Sequence, residues 1–227
     1  PWSQTYRGKT VAGPTRRQLR RFNHRLDIQP DWNWRWGPDG TLYVISDCSD
    51  WWNVYRVAGE DDLEPVFATD REIGGPAWQF DLAAYGVTDD GTVVMTAAAG
   101  ERAELIVVPT GAPPSVHGSD RIDFGSVRVR GRRMSAVAGS PDHEPDVVVI
   151  DLDTDPPAES VLRRGRDLGL APAMVSHGRR ISFPSEGGRT AHAVFYPPTN
   201  PDVEAPAEEL PPLIVVSHGG PTSSARK

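Results

Sequence analysis

The 227-residue sequence contains a single cysteine, Cys48, so no intramolecular disulfide can form and a reducing compartment is the simpler setting. A reactive thiol would need an activating neighbour, and the adjoining residues supply none, which leaves Cys48 as a small strand filler. Long apolar runs are also missing: none approaches the ~20 residues that cross a bilayer. Pro1-Trp2-Ser3-Gln4 is not a signal peptide, so no membrane partner and a cytoplasmic location are expected. The sequence opens without Met, as a fragment or a processed product does, and this weakens the argument from a missing leader. Positive charge is in deficit. A net charge of -7 argues against a nucleic-acid binder, which needs a basic face to release counterions. The basic runs at Arg16, Arg17, Arg20 and Arg21 and at Arg163, Arg164 and Arg166 read as solvated surface. A Gly-x-Ser-x-Gly nucleophile elbow is absent as well.

What is present is turn-rich β sequence: 38% hydrophobic residues with 22 Gly and 22 Pro. Pro38-Asp39-Gly40-Thr41-Leu42-Tyr43-Val44-Ile45-Ser46 is a tight turn leading into a β-run, and Asp89-Asp90-Gly91-Thr92-Val93-Val94-Met95-Thr96 repeats it. Val129-Arg130-Gly131-Arg132-Arg133-Met134-Ser135-Ala136-Val137 is a weaker third copy. The three glycines fall about 50 and then about 40 residues apart, the spacing of four-stranded propeller blades. Further β-runs follow each copy: Asn53 to Val57 and Pro65 to Phe67, then Glu104 to Val108, then Val147 to Ile150 with Val161-Leu162. About three blades are expected. Rings close with four to eight, so several lie outside this stretch.

The blade pattern stops between Leu168 and Arg180, a linker-like stretch containing Pro172. Arg180 to Pro184 and Thr190 to Tyr196 then read as a hairpin around Glu186-Gly187-Gly188-Arg189. After an acidic, Pro-rich stretch from Pro197 to Pro212 comes Leu213-Ile214-Val215-Val216, apolar at every position, as expected of a parallel strand covered on both faces. It leads into Ser217-His218-Gly219-Gly220-Pro221. A buried strand followed by His-Gly-Gly is the loop that, in α/β-hydrolases, turns backbone N–H groups toward the oxyanion of an acyl-transfer intermediate. Gly220 is the leading candidate for that role and Gly219 the next, because glycine allows close backbone approach and a positive φ. One such donor is worth about 3 to 4 kcal/mol in a transition state. The bland reading is a tight turn with no substrate near it.

In combination these segments resemble the prolyl oligopeptidase family of serine peptidases, in its acylaminoacyl-peptidase and dipeptidyl-peptidase-like branch. The likeness is carried by Asp39 to Asp47 with Trp51 to Arg56, by Gly74-Gly75-Pro76-Ala77-Trp78, by Phe183 to Ala193, and most closely by Tyr196 to Pro201 with Leu210 to Ser223. Gly13 to Trp36 and Ser224 to Lys227 depart from the family pattern. The resemblance implies a propeller that filters substrates by size, joined to a C-terminal α/β-hydrolase domain that cleaves short peptides near their N-termini, with no cofactor. It gives His218 a part in shaping the oxyanion loop rather than acting as general base. Neither Ser223 nor Ser224 sits in an elbow, so the Ser-Asp-His triad is not found in this chain.

The expected fold class is therefore mainly β: a partial β-propeller of about three blades over residues 1–170, followed over residues 171–227 by the first strands of an α/β-hydrolase domain. The chain alone is expected to be inactive, with short peptides as substrates of the intact enzyme; its residues do not fix an oligomeric state. A second reading, from a different class, is a non-catalytic propeller-like binding or scaffold protein. Three blades count against it, because they leave the ring open with unpaired strand edges. No metal is expected, since His24, His117, His143, His177 and His192 lack ligand spacing. Asp151-Leu152-Asp153-Thr154-Asp155 resembles a calcium loop, but Pro156 and Leu162 occupy the positions that need Gly and Glu. A blade-edge turn explains it better. Trp32, Trp34, Trp36, Trp51 and Trp52 could form a stacking platform, and packing within blades is the favoured role.

Overall fold

A computed structural model describes residues 3–6, 9–12, 34–59, 62–75, 83–217 and 219. Strands β1 (Ser3–Tyr6) and β2 (Lys9–Ala12) form an antiparallel pair. Three four-stranded antiparallel sheets follow, each built from strands consecutive in sequence. The first contains β3 (Trp34–Trp36), β4 (Leu42–Ser46), β5 (Asn53–Val57) and β6 (Leu63–Pro65). The second contains β7 (Tyr85–Val87), β8 (Val93–Ala99), β9 (Arg102–Val108) and β10 (Ser115–Gly118). The third contains β11 (Phe124–Arg130), β12 (Arg133–Ala138), β13 (Asp146–Asp151) and β14 (Ala158–Arg163). Strand β7 lies against both β3 and β11, so the first strands of the three sheets sit side by side, as the innermost strands of propeller blades do.

The repeated turns occupy one place in each blade, between its first and second strands. Gly40, Gly91 and Gly131 have φ of 87°, 83° and 57°, a region in which other L-residues are strained. In the first two turns the preceding aspartate closes the loop. Asp39 Oδ1 accepts the Thr41 N–H at 3.0 Å, and Asp90 Oδ1 accepts the Thr92 N–H at 3.1 Å. The third is a two-residue turn across the Arg130–Arg133 pair and needs no aspartate.

Two apolar cores bind the blades together. Tyr43, Ile45 and Val54 of blade 1 pack with Tyr85, Val93, Met95 and Ile106 of blade 2. Alternate residues of blade 2, Val94, Ala103, Leu105 and Val107, pack with Val127, Met134, Ala136, Val148 and Ile150 of blade 3. Each fully buried aliphatic side chain contributes roughly 1.5–3 kcal/mol. Blade 2 is thus covered on both faces, which explains its nearly unbroken run of apolar residues. Polar groups stitch the same seams. The Tyr85 hydroxyl donates to the Tyr43 carbonyl at 3.0 Å, and buried Asn53 donates to the Thr69 carbonyl at 3.0 Å while accepting the Thr69 N–H at 3.2 Å. A bulge in β11, with Ser126 at φ 52°, frees the Val127 N–H to reach the Ala83 carbonyl of blade 2 at 2.8 Å. Nearby, a Cβ at Gly86 would lie 2.5 Å from Val129 Cγ2, so the two innermost strands meet where β7 has no side chain.

Several sequence expectations shift. The last strand of blade 1 is Leu63–Pro65, not Pro65 to Phe67; Val66 and Phe67 instead turn into the core shared with blade 2. Cys48 is not a strand filler but an exposed residue of the β4–β5 turn. The basic run Arg16 to Arg21 lies outside the described residues. Beyond blade 3 come a 3-10 turn (Pro172–Met174) and the expected hairpin, β15 (Arg179–Pro184) paired with β16 (Thr190–Phe195) across a second 3-10 turn (Glu186–Gly188).

Candidate functional site

The hairpin leads toward the His218-Gly219-Gly220 motif expected to form an oxyanion loop. It touches blade 2 through Arg180, whose Nη2 donates to the Gly100 carbonyl at 2.8 Å. Its base is held to the chain on either side: the Ser176 hydroxyl donates to the Pro197 carbonyl at 2.6 Å, and the Thr199 hydroxyl donates to the Ala173 carbonyl at 3.0 Å. From there Pro201 to Val216 runs exposed.

Leu213 to Val216, expected as an internal parallel strand, forms no strand and pairs with none among the described residues. Leu213, Ile214, Val215 and Val216 are 76–87% exposed. The physical reason is partnership: a run apolar on every residue needs strands beside it and layers over both faces, and the described residues place neither there. Of the three candidate oxyanion-loop residues, Gly219 is described, and a Cβ on it would meet nothing within 4 Å among the described residues. His218 and Gly220 lie outside the described residues, as do Ser223 and Ser224.

Other arrangements compete for attention as sites. On the hairpin, Ser182 Oγ lies 2.8 Å from His192 Nδ1, beside a shallow depression of about 310 Å³ lined by Phe183, Pro184, Gly188, Arg189 and Thr190. The pair is exposed on paired strands rather than raised on a strand-to-helix turn, and no carboxylate hydrogen-bonds His192 among the described residues. Ser115 and His117 make a similar exposed contact on β10. His143 Nδ1–H donates to the Glu144 carbonyl beside an acidic turn, and no group of three or more metal-ligating side chains occurs among the described residues.

The aspartate-rich segment at 151–155 is a turn between β13 and β14, filled by an arginine. Arg132 Nε donates to Asp153 Oδ1 at 2.6 Å, its Nη2 to the Leu152 carbonyl at 2.8 Å, and its Nη1 to Asp90 Oδ2 of blade 2 at 2.6 Å. Asp90 is held well below the usual carboxylate range, chiefly by the Thr88 hydroxyl, with the Thr92 N–H and Arg132 adding to it against the opposing effect of burial. Trp34 and Trp36 stack edge to face with centroids 6.3 Å apart, and Trp34 packs on Val44 and Tyr55. Trp52 joins the core between blades 1 and 2, whereas Trp51 is 36% exposed. These rings pack the blades, and Trp32 lies outside the described residues. Sequence reading missed the polar seam residues Arg132, Arg121 and Asp146, whose partners are distant in sequence and leave no local pattern.

Sheets of four consecutive antiparallel strands, meeting along their first strands, define a stretch of β-propeller. No family model matches the chain, and no curated protein matches it. Solved structures do. A puromycin hydrolase is 26% identical with a TM-score of 0.71, over 81% of this chain and 28% of that one. A puromycin-hydrolyzing peptidase of Mycobacterium tuberculosis is 29% identical with a TM-score of 0.62, over 76% and 26%. Prolyl oligopeptidase B from Galerina marginata, at 11% identity and a TM-score of 0.52 over 71% and 22%, shares the fold. The chain thus spans little more than a quarter of the length of the structures it resembles. It is similar in sequence and fold to puromycin-hydrolysing peptidases and shares its fold with a prolyl oligopeptidase. No helix among the described residues is long and apolar enough to cross a membrane.

Proposed function

We propose that this chain supplies the propeller wall and the oxyanion loop of a cytoplasmic serine peptidase that hydrolyses short peptides, of the amino-, dipeptidyl- or acylaminoacyl-peptidase type. The observation that carries the reading is the likeness to puromycin hydrolase across 81% of the chain. A variant of that enzyme has been solved complexed with PGG, which supports small peptide-like substrates for this chain's intact enzyme. In this reading residues 1–170 belong to the propeller and 171–227 open the hydrolase domain. The backbone N–H groups of Gly220 and Gly219, shaped by His218, would stabilise the negative charge that develops on the scissile carbonyl oxygen. The propeller would restrict access by size.

The 227-residue chain by itself is expected to be inactive, because no serine in it occupies a nucleophile elbow and the Ser182–His192 and Ser115–His117 contacts sit exposed on paired strands. Incubation with a fluorophosphonate probe, with amino-acyl p-nitroanilides and with puromycin should give neither covalent labelling nor turnover. Labelling of any serine would overturn the assignment of a missing nucleophile.

A further inference from the structure

Asp146 opens β13 with no exposed surface, and nothing in the peptidase reading uses it. Two distant pieces of chain converge on its carboxylate. Arg121, on the approach to β11, donates Nη1 to Oδ2 at 2.9 Å, and the same guanidinium turns Nε and Nη2 onto Glu159 Oε1 of β14 at 2.9 and 2.6 Å. Gly165, two residues beyond the end of β14, donates its N–H to Oδ1 at 2.8 Å. Arg164 Nη1 and His143 Nδ1 stand 3.7 and 3.9 Å from the carboxylate, and Arg166 Nη2 stands 3.9 Å from Glu144. The approach of the exit chain is close enough to require glycine: a Cβ at Gly165 would lie 2.2 Å from the Glu144 carbonyl oxygen.

Immediately past Gly165 the character of the chain changes. Residues 166–173 are exposed. The hydrogen bonds anchored within 166–172 are local, such as the Gly169 N–H to Asp167 and the Met174 N–H to the Ala171 carbonyl, until Ala173 and Ser176 tie the chain to the segment after the hairpin. We propose that Asp146 is a latch that clamps the chain leaving blade 3 against the entry to the same blade, and that residues 166–173 are the hinge whose upstream end it fixes. A buried carboxylate is costly unless its partners remain in place, and losing it releases the Gly165 N–H and leaves Arg121 held by Glu159 alone.

Limited trypsin digestion of the 227-residue chain, with sites assigned by mass spectrometry, tests this. The wild-type chain should be cut first after Arg166, in the exposed stretch, and slowly after Arg164, inside the latch. Asp146→Ala should speed cleavage after Arg164 roughly tenfold or more while leaving Arg102 of blade 2 unchanged, because proteolysis reports local opening. Should Asp146→Ala loosen the whole fold, Gly165→Ala decides, since it displaces the exit chain while leaving Asp146 and Arg121 in place. Selective acceleration at Arg164 in that variant supports the latch. Cleavage at Arg164 that is unchanged in Gly165→Ala, or that rises no more than at Arg102 in both variants, overturns it.

Discussion

Val94 and Val216 have the same side chain, and one is wholly buried while the other is 87% exposed. Their neighbourhoods match just as closely: Val93-Val94-Met95 and Ile214-Val215-Val216 are both unbroken apolar runs. The first has blade 1 on one side and blade 3 on the other, with β7 and β9 as hydrogen-bonded neighbours. The second has none of these. An apolar run therefore states how many faces must be covered and says nothing about strand direction, since β8 is antiparallel to both of its neighbours. Burial belongs to the partners as much as to the residues.

That contrast can be broken most severely at its buried end. Val94→Asp would place an unpaired carboxylate between blades 2 and 3, and the cost should exceed about 4 kcal/mol, enough to abolish a cooperative urea transition. A retained transition with a small shift would mean that the two blades do not depend on their shared core.

A subtler test acts on the turn that leads into β8. Asp90 is held below its ordinary range, so its charged form favours the folded state above its unfolded pKa of about 3.9, and that contribution is lost as the pH falls through the lower folded value. Asp90→Asn keeps an acceptor for the Thr92 N–H but removes the charge facing Arg132. With the side chain about half exposed, the loss at neutral pH should stay under about 1 kcal/mol. Melting temperatures measured from pH 7 down to pH 3 should show the wild-type advantage over the variant start to shrink below about pH 4, with part of it still present at pH 3; an advantage as large at pH 3 as at pH 7 would sink the assignment.

The smallest effect is expected at the exposed end. Ile214→Ser and Val216→Ser together should change the stability of the 227-residue chain by no more than about 0.5 kcal/mol, because neither side chain leaves water on folding. A clear drop in Tm would show that the run is covered after all.

The blade turns were legible because their chemistry is local. Asp39-Gly40-Thr41 and Asp90-Gly91-Thr92 combine a side chain that bonds its own loop with a residue free to take positive φ, and both requirements are written in adjacent letters. The weaker third copy at Gly131 was legible for the glycine alone. Short and edge strands were less so: β3 has three residues, β10 is the polar stretch Ser115–Gly118, and β6 lies two residues earlier than its apolar neighbours suggest. What places these strands is a partner's register, which periodicity cannot report. The oxyanion loop was legible only as a motif. Its three candidate residues acquire a role from groups that no local pattern specifies, and among the described residues Gly219 has no neighbour close enough to assign one.

The bare backbone at Gly86 works like a mitre cut in joinery. Trimming one board at its inner edge lets the next meet it at an angle, and repeating the cut bends a row of boards into an arc. With Val129 seated in that notch, the innermost strands of blades 2 and 3 come close together. A methyl group there would force the two strands apart, so their close approach rests on a position where the chain carries only hydrogen.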